Sequence, residues 1–324
     1  MDGTFNEKEC TFCTGRRKHL YGIVVHGGAG GTSSWAIRGC RLAAEEGMRV
    51  LRAGGSSLDA VVAAVQFMEG VGTFNAGVGS ILRMDGKTIE MDAAVATSEH
   101  GRQGAVGAIT GIRNPVLLAR AVMDSRHVML VGDGAVEFAQ RLNLGLEPHP
   151  GPTQRVRKRY EAMRRALDAG EVETIGPGWT SEELERIWGT EGTLVTPGMR
   201  DCDTVGAVAL DANGIFAVAG STGGSGLMIP GRVGDVPVRG AGYEAGPAGG
   251  VLATGIGEEI VRNEGSGKVY SLLSPAMGFS PQQACEQIVA LFPPHIPVGF
   301  IALTKEAVGV AANCDMASAS VTEA

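Results

Sequence analysis

Short apolar runs alternate with helically spaced segments along most of this chain. Residues 20–26, 205–210, 250–254 and 298–304 are runs of strand length with little polar interruption, the pattern of strands buried on both faces. Residues 35–52 place Ala36, Cys40, Ala43, Ala44, Met48 and Leu51 on one stripe, which predicts an amphipathic helix ended by Gly54-Gly55. Ser56 and Asp59 form a capping-box-like start for a helix over 58–68. Strands over 80–84 and 88–96 are expected around a turn at Asp85-Gly86. A strand over 104–110 follows. A helix over 116–124 is N-capped by Asn114, with Pro115 in its first turn. Then come a strand over 127–131 and a helix over 135–142. Later in the chain a helix begins at Gly257, another opens at Ser280-Pro281, and residues 298–304 and 308–313 form a hairpin. Strands apolar on both sides, interleaved with helices, predict helices covering two stacked sheets, a four-layer αββα sandwich.

Two segments depart from the pattern. Residues 1–18 read as a flexible extension. Residues 143–203, rich in proline, glycine and charge, read as a mobile linker with short helices. The basic run beginning at Arg155 reads as a solvated helix face. Residues 19–324 are otherwise one domain, and a chain of 324 residues that is 44% hydrophobic buries a sizeable core. A net charge of −7 argues against nucleic acid as a partner. No apolar run reaches membrane-spanning length, and the first residues lack a signal peptide's apolar core, so a cytoplasmic location is expected. The six cysteines are scattered and form no disulfide framework. Cys10 and Cys13 lack the second ligand pair that a structural zinc site needs, even with His19 nearby. The glycine-rich turn after His26 lacks the Gly-Lys-Ser/Thr of a phosphate loop.

Candidate chemistry centres on Thr204. It stands at the start of an apolar strand, directly after Asp203, and a turn at Asp211-Ala212-Asn213-Gly214 folds that strand back on the next. Scission at Asp203-Thr204 would give Thr204 a free α-amine, placing nucleophile and base in one residue. Arg232 and Asp235 are opposite charges three residues apart in a glycine-framed loop, which suits a zwitterionic amino acid. An ordinary surface ion pair has the same spacing. Asn75 offers an amide that donates or accepts near the nucleophile, or alternatively closes an Asx turn.

Several motifs occur together in order: His26-Gly-Gly-Ala-Gly30, Gly55-Ser-Ser-Leu-Asp-Ala-Val61, Phe74-Asn-Ala-Gly77, Met91-Asp-Ala93, the segment from Thr204, Ser221-Thr-Gly-Gly224, Pro230-Gly-Arg-Val-Gly-Asp235 and Thr254-Gly-Ile-Gly-Glu258. In this set the chain resembles the plant-type L-asparaginase and isoaspartyl aminopeptidase family, threonine-type N-terminal-nucleophile hydrolases, over residues 20–142 and 200–312. The resemblance implies the αββα fold of these hydrolases. It also implies autocleavage at Asp203-Thr204 into an α subunit (19–203) and a β subunit (204–324), assembled as a dimer of cleaved heterodimers. Thr204 is then the nucleophile, oriented by Thr222. Thr254 and Gly255 form the oxyanion hole. Arg232 and Asp235 hold the α-carboxylate and α-ammonium of L-asparagine or a β-aspartyl dipeptide. A structural sodium ion is implied on the backbone carbonyls of Met68, Glu69, Val71, Phe74, Ala76 and Val78. Ser225 to Ile229, Gly220 and Ile256 depart from the family and bear on the leaving group. The Asp-Thr junction is shared with threonine aspartases, so an endopeptidase is one alternative. An uncleaved, non-catalytic member is another.

Overall fold

Successive residues of the long strands point into different cores, as the two-residue strand period requires. Ile23 and Val25 join Ala207, Ala209, Ala217 and Ala219 under the first helices, while Val24 joins Val208, Val218, Leu252 and Ile301 between the sheets. Val251, Ala253, Phe300 and Ala302 face a third core under the later helices. Three apolar cores separated by two sheets are the four-layer αββα sandwich expected from the sequence. The computed structural model describes residues 21–168, 173–174, 194–195 and 204–323. The extension over 1–18, Cys10, Cys13, His19 and Asp203 lie outside the described residues.

The elements in order are β1 (Tyr21–Ala29), α1 (Ser34–Arg52), α2 (Ser57–Gly70), β2 (Met91–Thr97), β3 (Gln103–Ile109), α3 (Pro115–Met123), β4 (Met129–Val131), α4 (Gly132–Arg141), α5 (Gln154–Asp168), β5 (Glu173–Thr174), β6 (Leu194–Val195), β7 (Val205–Leu210), β8 (Phe216–Thr222), β9 (Tyr243–Gly246), β10 (Gly249–Gly255), α6 (Gly257–Asn263), α7 (Gly265–Leu272), α8 (Pro281–Val289), β11 (Val298–Leu303), β12 (Val308–Ala312) and β13 (Met316–Glu323). A seven-stranded sheet runs β13-β1-β7-β8-β2-β3-β4, and a four-stranded sheet runs β12-β11-β10-β9. The β5 and β6 strands pair apart from both. No helix among the described residues is long and apolar enough to cross a membrane.

The turn between β7 and β8 forms as predicted. Gly214 takes a φ of +78°, and the Asp211 carboxylate accepts from the Asn213 and Ile215 amides. Ser280 makes a full capping box with Gln283 at the start of α8. Three expectations need correction. Residues 80–84 are not a strand, because Ile81 N–H goes to the Asn75 side chain and Met84 N–H to the Met228 carbonyl. The turn at Asp85-Gly86 nevertheless closes, with Thr88 and Lys87 amides on the Asp85 carboxylate. Asn114 does not cap α3 with its side chain. Glu69, fully buried on α2, takes that role, accepting from Val116 N–H at 3.0 Å and from the Asn114 amide at 3.1 Å. Finally, the basic run from Arg155 is a solvated helix face, with Arg157 and Lys158 exposed, but α5 buries Val156 and Met163 on its other side, so this part is not a mobile linker; residues 169–172, 175–193 and 196–203 of the expected linker lie outside the described residues. The closing strand β13 was not anticipated. Its small Ala and Ser residues carry little hydrophobic signal, yet it pairs along the whole of β1.

Candidate active site

Strand register delivers the two threonines. Val205 pairs with Ser221, so the next step outward sets Thr204 opposite Thr222 at the end of the hairpin. Thr204, only 8% exposed, donates from its hydroxyl to the Thr222 hydroxyl oxygen across 3.3 Å. Thr222 Oγ1 also accepts from Gly224 N–H at 3.0 Å, which fixes its rotamer. These residues share a narrow cleft with Ser225, Arg232, Gly234, Asp235, Gly255 and Gly257. The chain therefore brings together Thr204, Thr222, Gly255 and the Arg232–Asp235 pair from separate strands and a loop.

The charged end of the cleft is a loop rather than a strand, and buried polar groups hold it. Arg83, with its side chain wholly buried, pairs with Glu90 at 3.2 Å and donates to the Arg232 carbonyl at 3.1 Å. Glu90 also accepts from Gly231 N–H at 2.7 Å. Asp92 accepts from Gly234 N–H at 3.2 Å and from Ala108 N–H at 2.8 Å. A carboxylate or guanidinium on either side of Arg232 and Asp235 thus sets their backbone. A Cβ at Gly257 would lie 2.8 Å from Asp235 Oδ1 and 2.9 Å from Arg232 Nη2, so only glycine lets α6 approach both charges.

The Arg232 fork does not face Asp235 directly. Both arms donate to Glu258, at 2.8 Å each, in a bidentate pair. Glu258 is a site residue that sequence reasoning missed. It lay in the quoted motif, and its signal was an acidic residue just inside a helix that starts at the cleft. Burial works against its charge, but Arg232 holds its carboxyl below the usual carboxylate range. Asp235 Oδ2 has no hydrogen-bond partner among the described residues, and burial pushes the Asp235 pKa up to about 7 although Arg232 opposes this.

Other expected residues stand behind the cleft. Thr254 is buried, and its hydroxyl accepts from Ala29 N–H at 3.1 Å, which joins the glycine-rich turn after His26 to β10. The Asn75 amide donates to the Gly224 carbonyl at 2.6 Å and accepts from Ile81 N–H at 3.0 Å. It therefore braces the turn beside Thr222 and does not point at Thr204. His26 is buried on β1 alongside Gly206, and burial lowers its pKa to about 3, so it is neutral at physiological pH. For the sodium expectation, the last bond of α2 runs from Val71 N–H to the Phe67 carbonyl, leaving the Met68 and Glu69 carbonyls beyond the helical ladder. The negative end of a helix dipole and oxygen-only donors suit a hard cation.

Comparison with known proteins gives the family of this chain. The family model described as asparaginase matches residues 19–323. A plant-type L-asparaginase of Pyrobaculum calidifontis is 36% identical over 285 residues, covering 84% of this chain and 87% of that protein. An isoaspartyl peptidase of Escherichia coli is 36% identical over 278 residues, covering 82% and 81%. An isoaspartyl peptidase/L-asparaginase of Rattus norvegicus is 39% identical over 250 residues, covering 74% and 67%. A hydroxyl pair at the end of a buried hairpin, facing a braced arginine and aspartate, is thus carried by a chain that belongs to the asparaginase family.

Proposed function

We propose that this protein is an amidohydrolase acting on the amide of the β-carboxyl group of an L-aspartyl unit. Its substrates are small molecules, L-asparagine and β-aspartyl dipeptides, the activities named for its relatives. Thr204 becomes the nucleophile once the Asp203-Thr204 bond is cut. Its new α-amine, with an ordinary pKa near 8, then accepts the hydroxyl proton as Oγ1 attacks the β-carbonyl carbon. The C–N bond breaks, and ammonia or an amino acid leaves with that proton. Water then opens the aspartyl ester on Thr204. The Gly255 amide on the cleft wall and, from behind that wall, the Thr254 hydroxyl proton stabilise the oxyanion, a contribution of ~100-fold or more per donor. Arg232 binds the substrate α-carboxylate, in place of or beside Glu258, and Asp235 takes the α-ammonium.

One observation carries the reading: a buried threonine hydroxyl paired with a second hydroxyl at 3.3 Å shares a narrow cleft with a braced arginine and a buried aspartate whose Oδ2 has no hydrogen-bond partner among the described residues. Met68, Glu69, Val71, Phe74, Ala76 and Val78 would hold a structural sodium through their carbonyls, steadying the loop that carries Asn75. A cytoplasmic enzyme assembled from two cleaved heterodimers belongs to the same proposal. Intact mass of the purified protein, followed by ammonia release from L-asparagine, tests it. Two fragments, the second starting at Thr204, with ammonia release, support it. A single uncut chain that leaves aspartyl amides untouched overturns it. Cutting of folded proteins after aspartate, without ammonia release, favours the endopeptidase instead.

A further inference from the structure

Helix α5 reaches the cleft through a loop that holds none of the catalytic groups. Met163 is buried against Ile81 and Leu227, with Met84 and Tyr160 packed around them. The Tyr160 hydroxyl donates to the Met84 carbonyl at 2.9 Å, and Met84 N–H donates to the Met228 carbonyl at 2.9 Å. The Met163 methyl lies so close to Gly226 that a Cβ there would stand 1.8 Å from it. Leu227, next in the chain, has φ +56° with its side chain buried. A leucine in the left-handed region persists only where its surroundings impose it. At the other end of the helix the Arg155 guanidinium sits 4.5 Å over the Trp35 ring and donates to the Thr73 carbonyl, which fixes α5 on the body.

Ser225, one residue before Gly226, lines the cleft with Thr204 and Thr222. Gly234 and Gly257 crowd against Arg232, and a Cβ at Gly224 would stand 2.5 Å from the Arg83 guanidinium, so Ser225 is the part of this wall not packed on the charged end. We propose that α5 is a specificity strap: Met163, seated on Gly226 and Leu227, sets the position of Ser225 and so decides which leaving group on the aspartyl amide the cleft accepts. The inference rests on the functional reading above, in which Arg232 and Asp235 hold the aspartyl half. Met163 acts through the loop and is a positioning residue.

The test compares Met163→Ala, Met163→Leu and Gly226→Ala in the processed protein, with L-asparagine and β-aspartyl-leucine as substrates. In Met163→Ala the KM for the dipeptide should change by about tenfold or more, while kcat/KM for asparagine stays within about threefold. Met163→Leu, similar in volume, should restore the wild-type ratio. The methyl added by Gly226→Ala displaces the Met163 methyl without altering the helix, so it should shift the same ratio, and the double variant should be non-additive. Gly226→Ala also decides the matter if Met163→Ala fails to fold. Equal losses on both substrates, tracking a lowered Tm, overturn the strap, as does an unchanged ratio. A wild-type protein that hydrolyses neither substrate overturns the functional reading itself, and the strap with it.

Discussion

The two ends of the cleft are built by different physics. At the nucleophile end, Thr204 and Thr222 are placed by the register of β7 on β8 and by the apolar residues on both faces of those strands. No charge takes part. At the binding end, Arg232 and Asp235 lie on a loop whose path is set by Arg83, Glu90 and Asp92, all buried and all distant in sequence. A strand end tolerates many apolar substitutions as long as register is kept. A buried ionic frame does not, because losing one partner strands the other in a low-dielectric site. The position of the hydroxyls is therefore cheap to maintain, and the position of the charges is not.

The contrast can be broken first at the nucleophile. Thr204→Ala should keep the fold and Tm but lower turnover by at least about 10⁴-fold and leave the chain uncut, seen by ammonia release and intact mass. Next comes the ionic frame. Arg83→Met should cost about 3–5 kcal/mol in urea unfolding, because Glu90 is left buried without its cation. If the loss is under about 1 kcal/mol, the frame is not what places the loop.

Asp235→Asn should raise KM by roughly 100-fold. Burial raises the Asp235 pKa to about 7, so in the free enzyme its carboxylate is lost below that pH and kcat/KM should fall on the acid side. The same shift fixes a stability trend. The folded state holds this proton more tightly than the unfolded chain, whose value is near 3.8. The group's favourable contribution is therefore present below that value and is lost as pH rises through about 7. Asp235→Asn should show a higher Tm than wild type at pH 8, with the gap closing toward pH 4. A smaller change is expected at Glu258, which occupies the Arg232 fork. Glu258→Gln should lower KM roughly 3- to 10-fold with kcat held, and a raised KM would instead make Glu258 an orienting group. The smallest effect belongs to a site far from either end. Ser280→Ala removes the capping box of α8, which should cost about 1 kcal/mol and leave kinetics unchanged.

How much was legible in the sequence follows the same division. Strands buried on both faces announce themselves as apolar runs, so the sandwich and the place of Thr204 could be read directly. The turn at Asp211 was legible because Asn-Gly is specific to it. Arg83 was not, since a wholly buried arginine has no local pattern and the carbonyl it holds, that of Arg232, lies far along the chain; Glu258 had a local signal as an acidic residue at a helix start, but nothing local names Arg232 as its partner. The Asn75 amide reads in sequence as a group near the nucleophile, but its two backbone hydrogen bonds turn it toward the Gly224 turn, a direction that only the closed loop defines. Residues 80–84 have strand composition, yet their amides are taken by Asn75 and Met228, so tertiary partners override local preference. The segment around α5 looked like linker because its charges dominate its composition, while the two side chains that matter, Val156 and Met163, are a minority.

The order of the large sheet has a consequence for a chain cut before Thr204. β1 comes from the first piece, yet both its neighbours, β13 and β7, come from the second. Farther along, β8 of the second piece lies against β2 of the first. The halves would be threaded through each other like the teeth of a closed zip, with ladder hydrogen bonds on each shared border. Severing the backbone frees an amine but releases neither half. The pieces should travel as one body through gel filtration and part only in denaturant.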